Sequence, residues 1–417
     1  MTGLPRRLAA PWVLPIEGPP IRDGAVLLDA GGRIAAVGAA AALPAPPGVP
    51  ADFLPDAVLL PGLVNVHTHL ELTGLDHQVP ESDFPSWIRH IIALKAARSP
   101  ADFRAAARQG LRDCWAAGVT TVADTGDSGA VIEALAEAGG SGIAYHEVFG
   151  PHPDQAEEAM AGACRRLAEL SRFTSARVRL GVSPHAPYSV SGPLYTRVAD
   201  HARKADLPLA VHLAESEDES LLLEQGSGGF ALAWEGRGIP LPPPPGRTPV
   251  AWLDAHGALS ARTLCIHLVR VGAADIEILR RRGVAMAHCP RSNVRHAHGS
   301  APLAALLGAG LRVGVGTDSV ASVAPLDLLA EARAARALGA LGAEETLRLV
   351  TRDAARALGL EQEIGSLRIG NWGDVVAFSL PGRADAGQLA EAVLSLGPDG
   401  VLLTCLAGRE MYRRKRL

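Results

Sequence analysis

The sequence predicts a parallel (β/α)8 barrel of TIM type, joined to a small β-sandwich-like domain formed by both chain ends. Two observations carry this. Eight short apolar runs that suit buried strands recur between residues 63 and 319, separated by Ala- and Leu-rich stretches with helical spacing. Histidines and acidic residues gather at the carboxyl ends of those runs, and in a barrel these ends converge on one mouth.

In chain order, residues 1–60 read as short strands with glycine turns, as in GAVLLDAGGRIAAVG. The eight runs follow: LVNVH (63–67), VTTVAD (119–124), IAYHEV (143–148), VRLGVS (178–183), LPLAVHL (207–213), TLCIHL (263–268), VAMAHC (284–289) and RVGVGTDS (312–319). Between them, FRAAARQGLRDCWAAG and AADIEILRRRG have helical spacing, the second closed by Gly283 as a C-cap. Near-continuous apolar strands require both faces of the sheet to be covered. Periodicity alone leaves a doubly wound open sheet as a competitor. The prolines of GRGIPLPPPPGRTP (236–249) exclude helix or central strand and make it a long loop before the sixth run. Residues 365–417 return to short strands, in GNWGDVVAFSL and GVLLTCLAGRE. The expected division is therefore 1–60 with 365–417 as one small β domain, and 61–364 as the barrel.

Length and composition narrow the function. A chain of 417 residues with 48% hydrophobic content can bury a sizeable core, and a formal charge of -4 gives no field for nucleic acid or anionic membrane. A small-molecule substrate is expected. Five cysteines without a CxxC or an even count argue against a disulfide framework. The amino-terminal segment has no uninterrupted apolar region of a secretory signal, and there is no long apolar run. A cytoplasmic protein is expected.

The stretch PGLVNVHTHLEL (61–72) ends an apolar run in two histidines one residue apart. If the extended conformation continued, His67, His69 and Glu71 would share a face. HxH alone is a weak signal. Here it is joined by His185 after the fourth run, His212 and Glu215 after the fifth, His267 after the sixth, His288 after the seventh and Asp318 after the eighth. Burying so many ligand-type groups at one rim without a metal leaves costly unsatisfied atoms, so a metal site is expected.

In this order PGLVNVHTH, HLAESEDE, CIHL and GTDS resemble the amidohydrolase superfamily, in the branch of adenosine-type, guanine and triazine deaminases or chlorohydrolases. The resemblance covers nearly the whole chain. It implies that His67, His69, His212 and Asp318 hold metal, that Glu215 moves protons, and that His267 and Asp318 assist water attack. Binuclear relatives bridge two metals with a lysine after the fourth strand, whereas this chain has VSPHAPYS there and only Lys95, Lys204 and Lys415 overall. One divalent metal is expected, Zn(II) first, with Fe(II) or Mn(II) compatible with the ligand types.

Substrate contacts are expected from Glu71 toward ribose hydroxyls, Phe84 and Trp87 as stacking partners, His185 and Ser319 at the rim, and Arg291 toward a carboxylate. HTHLELTG, the Phe/Trp pair, SPHAPYS, CPRSN and GTDSVAS are most similar to the aminodeoxyfutalosine deaminases of the menaquinone pathway. The resemblance implies deamination of 6-amino-6-deoxyfutalosine with release of ammonia. Deamination of adenosine, methylthioadenosine, S-adenosylhomocysteine or guanine, and triazine dechlorination, are its alternatives. A binding-only scaffold of the same fold is disfavoured by the complete ligand set. The resemblance also suggests a homodimer.

Overall fold

The computed structural model describes residues 3–79, 83–241, 246–380 and 384–415. Its centre is an eight-stranded parallel sheet: β1 (Leu63–Thr68), β2 (Val119–Gly126), β3 (Gly142–Val148), β4 (Val178–Pro184), β5 (Leu209–Leu213), β6 (Thr263–His267), β7 (Ala285–His288) and β8 (Arg312–Val315). Each strand pairs with its sequence neighbour, and helices cross between them. The sheet closes where β8 meets β1: Thr68 bridges Asp318, and the amides of Thr317 and Asp318 donate to the His67 carbonyl at 3.0 and 3.1 Å. A Cβ at Gly316 would stand 2.8 Å from His67 Cβ, so the seam shuts only around a glycine. This is the (β/α)8 barrel, and the open sheet is excluded.

Both faces of the strands are packed, which is why the runs read as continuously apolar. Val64, Val66, Leu264, Ile266, Ala285 and Ala287 fall in one core cluster, while the intervening Leu63, Cys265 and Met286 fall in another. Each fully buried Val, Leu or Ile of this kind stabilises the fold by about 1.5–3 kcal/mol before entropy is counted. Among the helices, Pro100–Ala116 starts with a reciprocal capping box between Ser99 and Asp102, and Ala273–Arg282 ends at Gly283 with φ 66°.

A second sheet combines both termini. Ala57–Pro61 lies between Arg6–Val13, which it pairs in parallel, and Val375–Ser379, which it pairs antiparallel. Leu8, Val26, Leu59, Val375 and Leu403 pack into its own core. The chain enters the barrel through Gly62, where a Cβ would collide with the Thr120 side chain. The two units are pinned by Arg177, whose guanidinium meets Asp374 at 2.7 Å and lies over the Trp372 ring.

Strand ends shift by a residue or more from the sequence reading, and two of the shifts matter to the site. The fifth strand begins at Leu209, and the eighth stops at Val315, so the GTDS segment lies beyond the strand. Asp318 there has φ 57°, a left-handed backbone that an extended strand cannot contain. Residues 242–245 of the proline-rich stretch lie outside the described residues; on its far side Thr248 caps a helix from Pro249 to Ala255.

Candidate active site

Strand ends bring five of the expected groups to one point. His67 Nε2 and His69 Nε2 lie 3.5 and 3.6 Å from Asp318 Oδ1. The His212 ring centroid is 5.0 Å from that of His67 and 5.3 Å from that of His69, and His267 lies 5.6 Å from His212. His67 is fully buried, yet neither of its ring nitrogens has a hydrogen-bond partner among the described residues. Such an orphaned imidazole facing a carboxylate fits a cation between them.

The protonation states agree. Burial, then the neighbouring imidazoles, hold His69 and His212 well below the ordinary histidine range, so both are neutral donors of lone pairs. At Asp318 burial acts upward but is outweighed by the facing imidazoles, His67 first and then His69 and His267, which hold the carboxyl below the ordinary carboxylate range. Nδ1 of His212 lies 3.1 Å from the His185 carbonyl and must donate to it. That leaves Nε2 for metal, the outer-shell arrangement that fixes the tautomer of a ligating histidine. Ser319 N and Ser292 Oγ donate to the two Asp318 oxygens.

Glu215 sits just past β5, 3% exposed, with Oε1 3.4 Å from His267 Nε2. Burial raises its carboxyl to about 7 against the opposing influence of His267, which suits a group that takes and returns a proton near neutrality. His267 is oriented from behind, its Nδ1 2.9 Å from Asn293 Oδ1. The acidic run ESEDE (215–219) is split, with Glu217 exposed and Glu219 turned inward. Glu219 is fully buried and accepts the amide hydrogens of Ala214 and Glu215 at 2.8 Å each. It shapes the turn that presents Glu215.

A cavity of about 1000 Å³ opens above this centre, lined among others by His69, His212, Glu215, His267 and Asp318. Phe84, Trp87, His185 and Ser319 also line it. Phe84 and Trp87 stack with centroids 5.9 Å apart, and Tyr188 lies on Phe230 at 4.0 Å, so one wall is aromatic. His185 is held by Ser189 Oγ at 2.7 Å and packs against His212 and Phe149.

Two expected contacts are elsewhere. The extended conformation ends at Thr68, and Glu71 falls in the short helical turn Leu70–Leu72, off the face of His67 and His69. Its carboxylate is consumed by Lys95 Nζ at 2.7 Å and by the Ser128 amide and hydroxyl, and it does not line the cavity. Arg291 is not a cavity residue either: its guanidinium turns to Glu331, 3.6 Å away, and its amide donates to the same carboxylate.

The sequence reading overlooked Lys95, Asp127 and Glu147, all on the cavity wall. Glu147 lies next to the end of the third strand, its carboxylate within 4.8 Å of ring nitrogens of His69 and His212, with burial raising it to about 8. The same strand-end rule that selected His212 would have found it. Lys95 gave no such signal, because it reaches the site from helix Phe84–Ala96.

The amidohydrolase family model matches residues 58–411. A 5-methylthioadenosine/S-adenosylhomocysteine deaminase of Moorella thermoacetica is 33% identical over 381 residues, 88% of this chain and 84% of that one. An aminodeoxyfutalosine deaminase of Deinococcus radiodurans is 35% identical over 301 residues, 68% of each chain. The solved structure of an adenosine deaminase from Xanthomonas campestris with bound zinc superposes with a TM-score of 0.83 at 27% identity, over 97% of this chain and 92% of the other.

Proposed function

We propose that this protein, which belongs to the amidohydrolase family and is a hydrolytic deaminase of adenosine-like nucleosides, acts on 6-amino-6-deoxyfutalosine. The carrying observation is a neutral-histidine and aspartate centre beside a buried carboxylic acid, under a cavity with an aromatic wall. At about 1000 Å³ this cavity is at the upper end for small-molecule sites, with room for a nucleoside and a ring-bearing 5′ substituent. Exposed Arg89 and Arg237 line it and offer cations to a substrate carboxylate. The name of the Deinococcus relative supports the same substrate.

His67, His69, His212 and Asp318 would hold the metal, which we take to be a single zinc ion that supplies Lewis-acid activation of water. Glu215 accepts the proton of the attacking water at its carboxylate and delivers it to the amino nitrogen. The carbon bearing that amino group passes through a tetrahedral state, its bond to nitrogen breaks and ammonia leaves, and the remaining proton of the water passes to the adjacent ring nitrogen as the ring carbonyl forms. His267, its Nδ1–H fixed on Asn293, presents Nε2 to Glu215 and the reacting centre.

The second reading is deamination of methylthioadenosine or S-adenosylhomocysteine, which the name of the Moorella relative favours. Exposed Ile92 and Leu232 on the cavity lining would suit a thioether. Initial rates of ammonia release with aminodeoxyfutalosine, methylthioadenosine, S-adenosylhomocysteine and adenosine separate the readings. A kcat/KM highest for aminodeoxyfutalosine supports the first, and one highest for either sulfur nucleoside replaces it with the second.

A further inference from the structure

Glu215 has a second histidine beside it that neither the sequence motifs nor the metal centre employs. His298 follows helix Pro290–Arg295 in a turn that Ala297 makes with φ 55°, and its amide closes the loop onto the Asn293 carbonyl at 2.9 Å. The ring is 5% exposed, edge-on to Phe84 at 4.5 Å and stacked on His296 at 5.4 Å. Its Nε2 stands 3.3 Å from Glu215 Oε1, the same oxygen that faces His267 at 3.4 Å. That nitrogen has no hydrogen-bond partner elsewhere among the described residues.

The two histidines are not equivalent. An amide oxygen only accepts, so His267 Nδ1, 2.9 Å from Asn293 Oδ1, carries the proton of the neutral ring. Its Nε2 is then a lone pair, which cannot donate to an ionised Glu215. An ionised buried carboxylate oxygen needs a donor. Among the described residues the other nitrogen facing that oxygen is Nε2 of His298.

We propose that His298 is a positioning residue for the proton carrier: through Nε2–H it holds Oε1 of Glu215 when that carboxylate is ionised, fixing the side chain where it meets the substrate's amino nitrogen. This rests on the assignment of Glu215 as the proton carrier. His298 itself touches neither the metal ligands' donor atoms nor the reacting atoms in this scheme. The groups around the pair are His267 from β6, Asp318 from the turn after β8, and Arg270 and Asp218 on the side of His298.

The test uses the metal-loaded full chain and three substitutions. Glutamine places an amide N–H near the position of Nε2, asparagine places it near Nδ1, and leucine supplies none. His298→Leu and His298→Asn are expected to lower kcat about tenfold with KM within twofold of the wild type, as expected for lost orientation of a proton carrier. His298→Gln should recover most of kcat. The proposal is overturned if His298→Asn turns over as fast as His298→Gln, or if His298→Leu keeps wild-type kcat. A rise in KM shared equally by all three also overturns it, since that is a packing effect. If His298→Leu does not fold, the asparagine and glutamine pair decides. Glu215→Gln measured alongside keeps the two failures apart: an active Glu215→Gln removes the premise, whereas an inactive one with fast His298→Asn removes only the positioning role.

Discussion

Lys95 Nζ lies 2.7 Å from Glu71 Oε1, and this ion pair joins helix Phe84–Ala96 to the turn that follows His67 and His69. Asp127 meets the same ammonium at 2.6 Å, and Arg98 donates to the Glu71 carbonyl. The pair therefore sets the wall of the cavity rather than contacting a diol through Glu71. Lys95→Met should leave the buried Glu71 uncompensated and lower the unfolding free energy by about 3 kcal/mol. Denaturant titration of the variant checks this, and adding Glu71→Gln should restore part of the loss. An unchanged midpoint in Lys95→Met would show that the pair is not holding the wall.

Metal retention should depend on the imidazoles. His69→Ala removes one ligand and leaves Asp318 facing a gap, so bound metal, read by elemental analysis after gel filtration, should fall together with ammonia release. Apparent thermal stability should fall too, since a metal bound only by the folded chain stabilises it. A variant with full metal and full activity would remove His69 from the ligand set.

Glu215→Gln separates proton transfer from binding. The amide keeps shape and burial but cannot cycle a proton, so kcat should fall by roughly 10²–10⁴ with metal content unchanged. Near-normal turnover would assign the proton to another group, Glu147 being the obvious one on the same wall.

A substrate carboxylate should be read by Arg89 and Arg237 and not by Arg291, whose guanidinium faces Glu331. Arg89→Ala combined with Arg237→Ala is expected to raise KM for aminodeoxyfutalosine by about 10–100-fold, the worth of a charge-assisted hydrogen bond, while adenosine is little affected. Arg291→Ala should leave both KM values where they are. The reverse pattern would move the carboxylate to the seventh-strand helix.

Most of the barrel was legible because a strand buried on both faces has little choice but to be apolar, and the eight such runs are well separated. The histidine–aspartate cluster was legible for the same reason in reverse: His67, His212, His267 and Asp318 interrupt or end apolar runs where polar groups are otherwise costly. What failed was local continuation. Glu71 was placed by assuming that β1 ran on past Thr68, and a turn of three residues sent it to Lys95 instead. Arg291 was assigned by charge alone, and Glu331, forty residues later on another helix, gives no local sign that it will take that charge. The aromatic wall joins Phe84, Tyr188 and Phe230 from three distant segments, a contact that only the folded chain brings about.

The central claim, water-driven replacement of an amino group, is tested most directly by turnover of aminodeoxyfutalosine in ¹⁸O-labelled water, with mass spectrometry of the product and ammonia counted in parallel. One labelled oxygen in the base and one ammonia per turnover is the predicted result. Product formed without ammonia, or with the label absent from the ring, would contradict it.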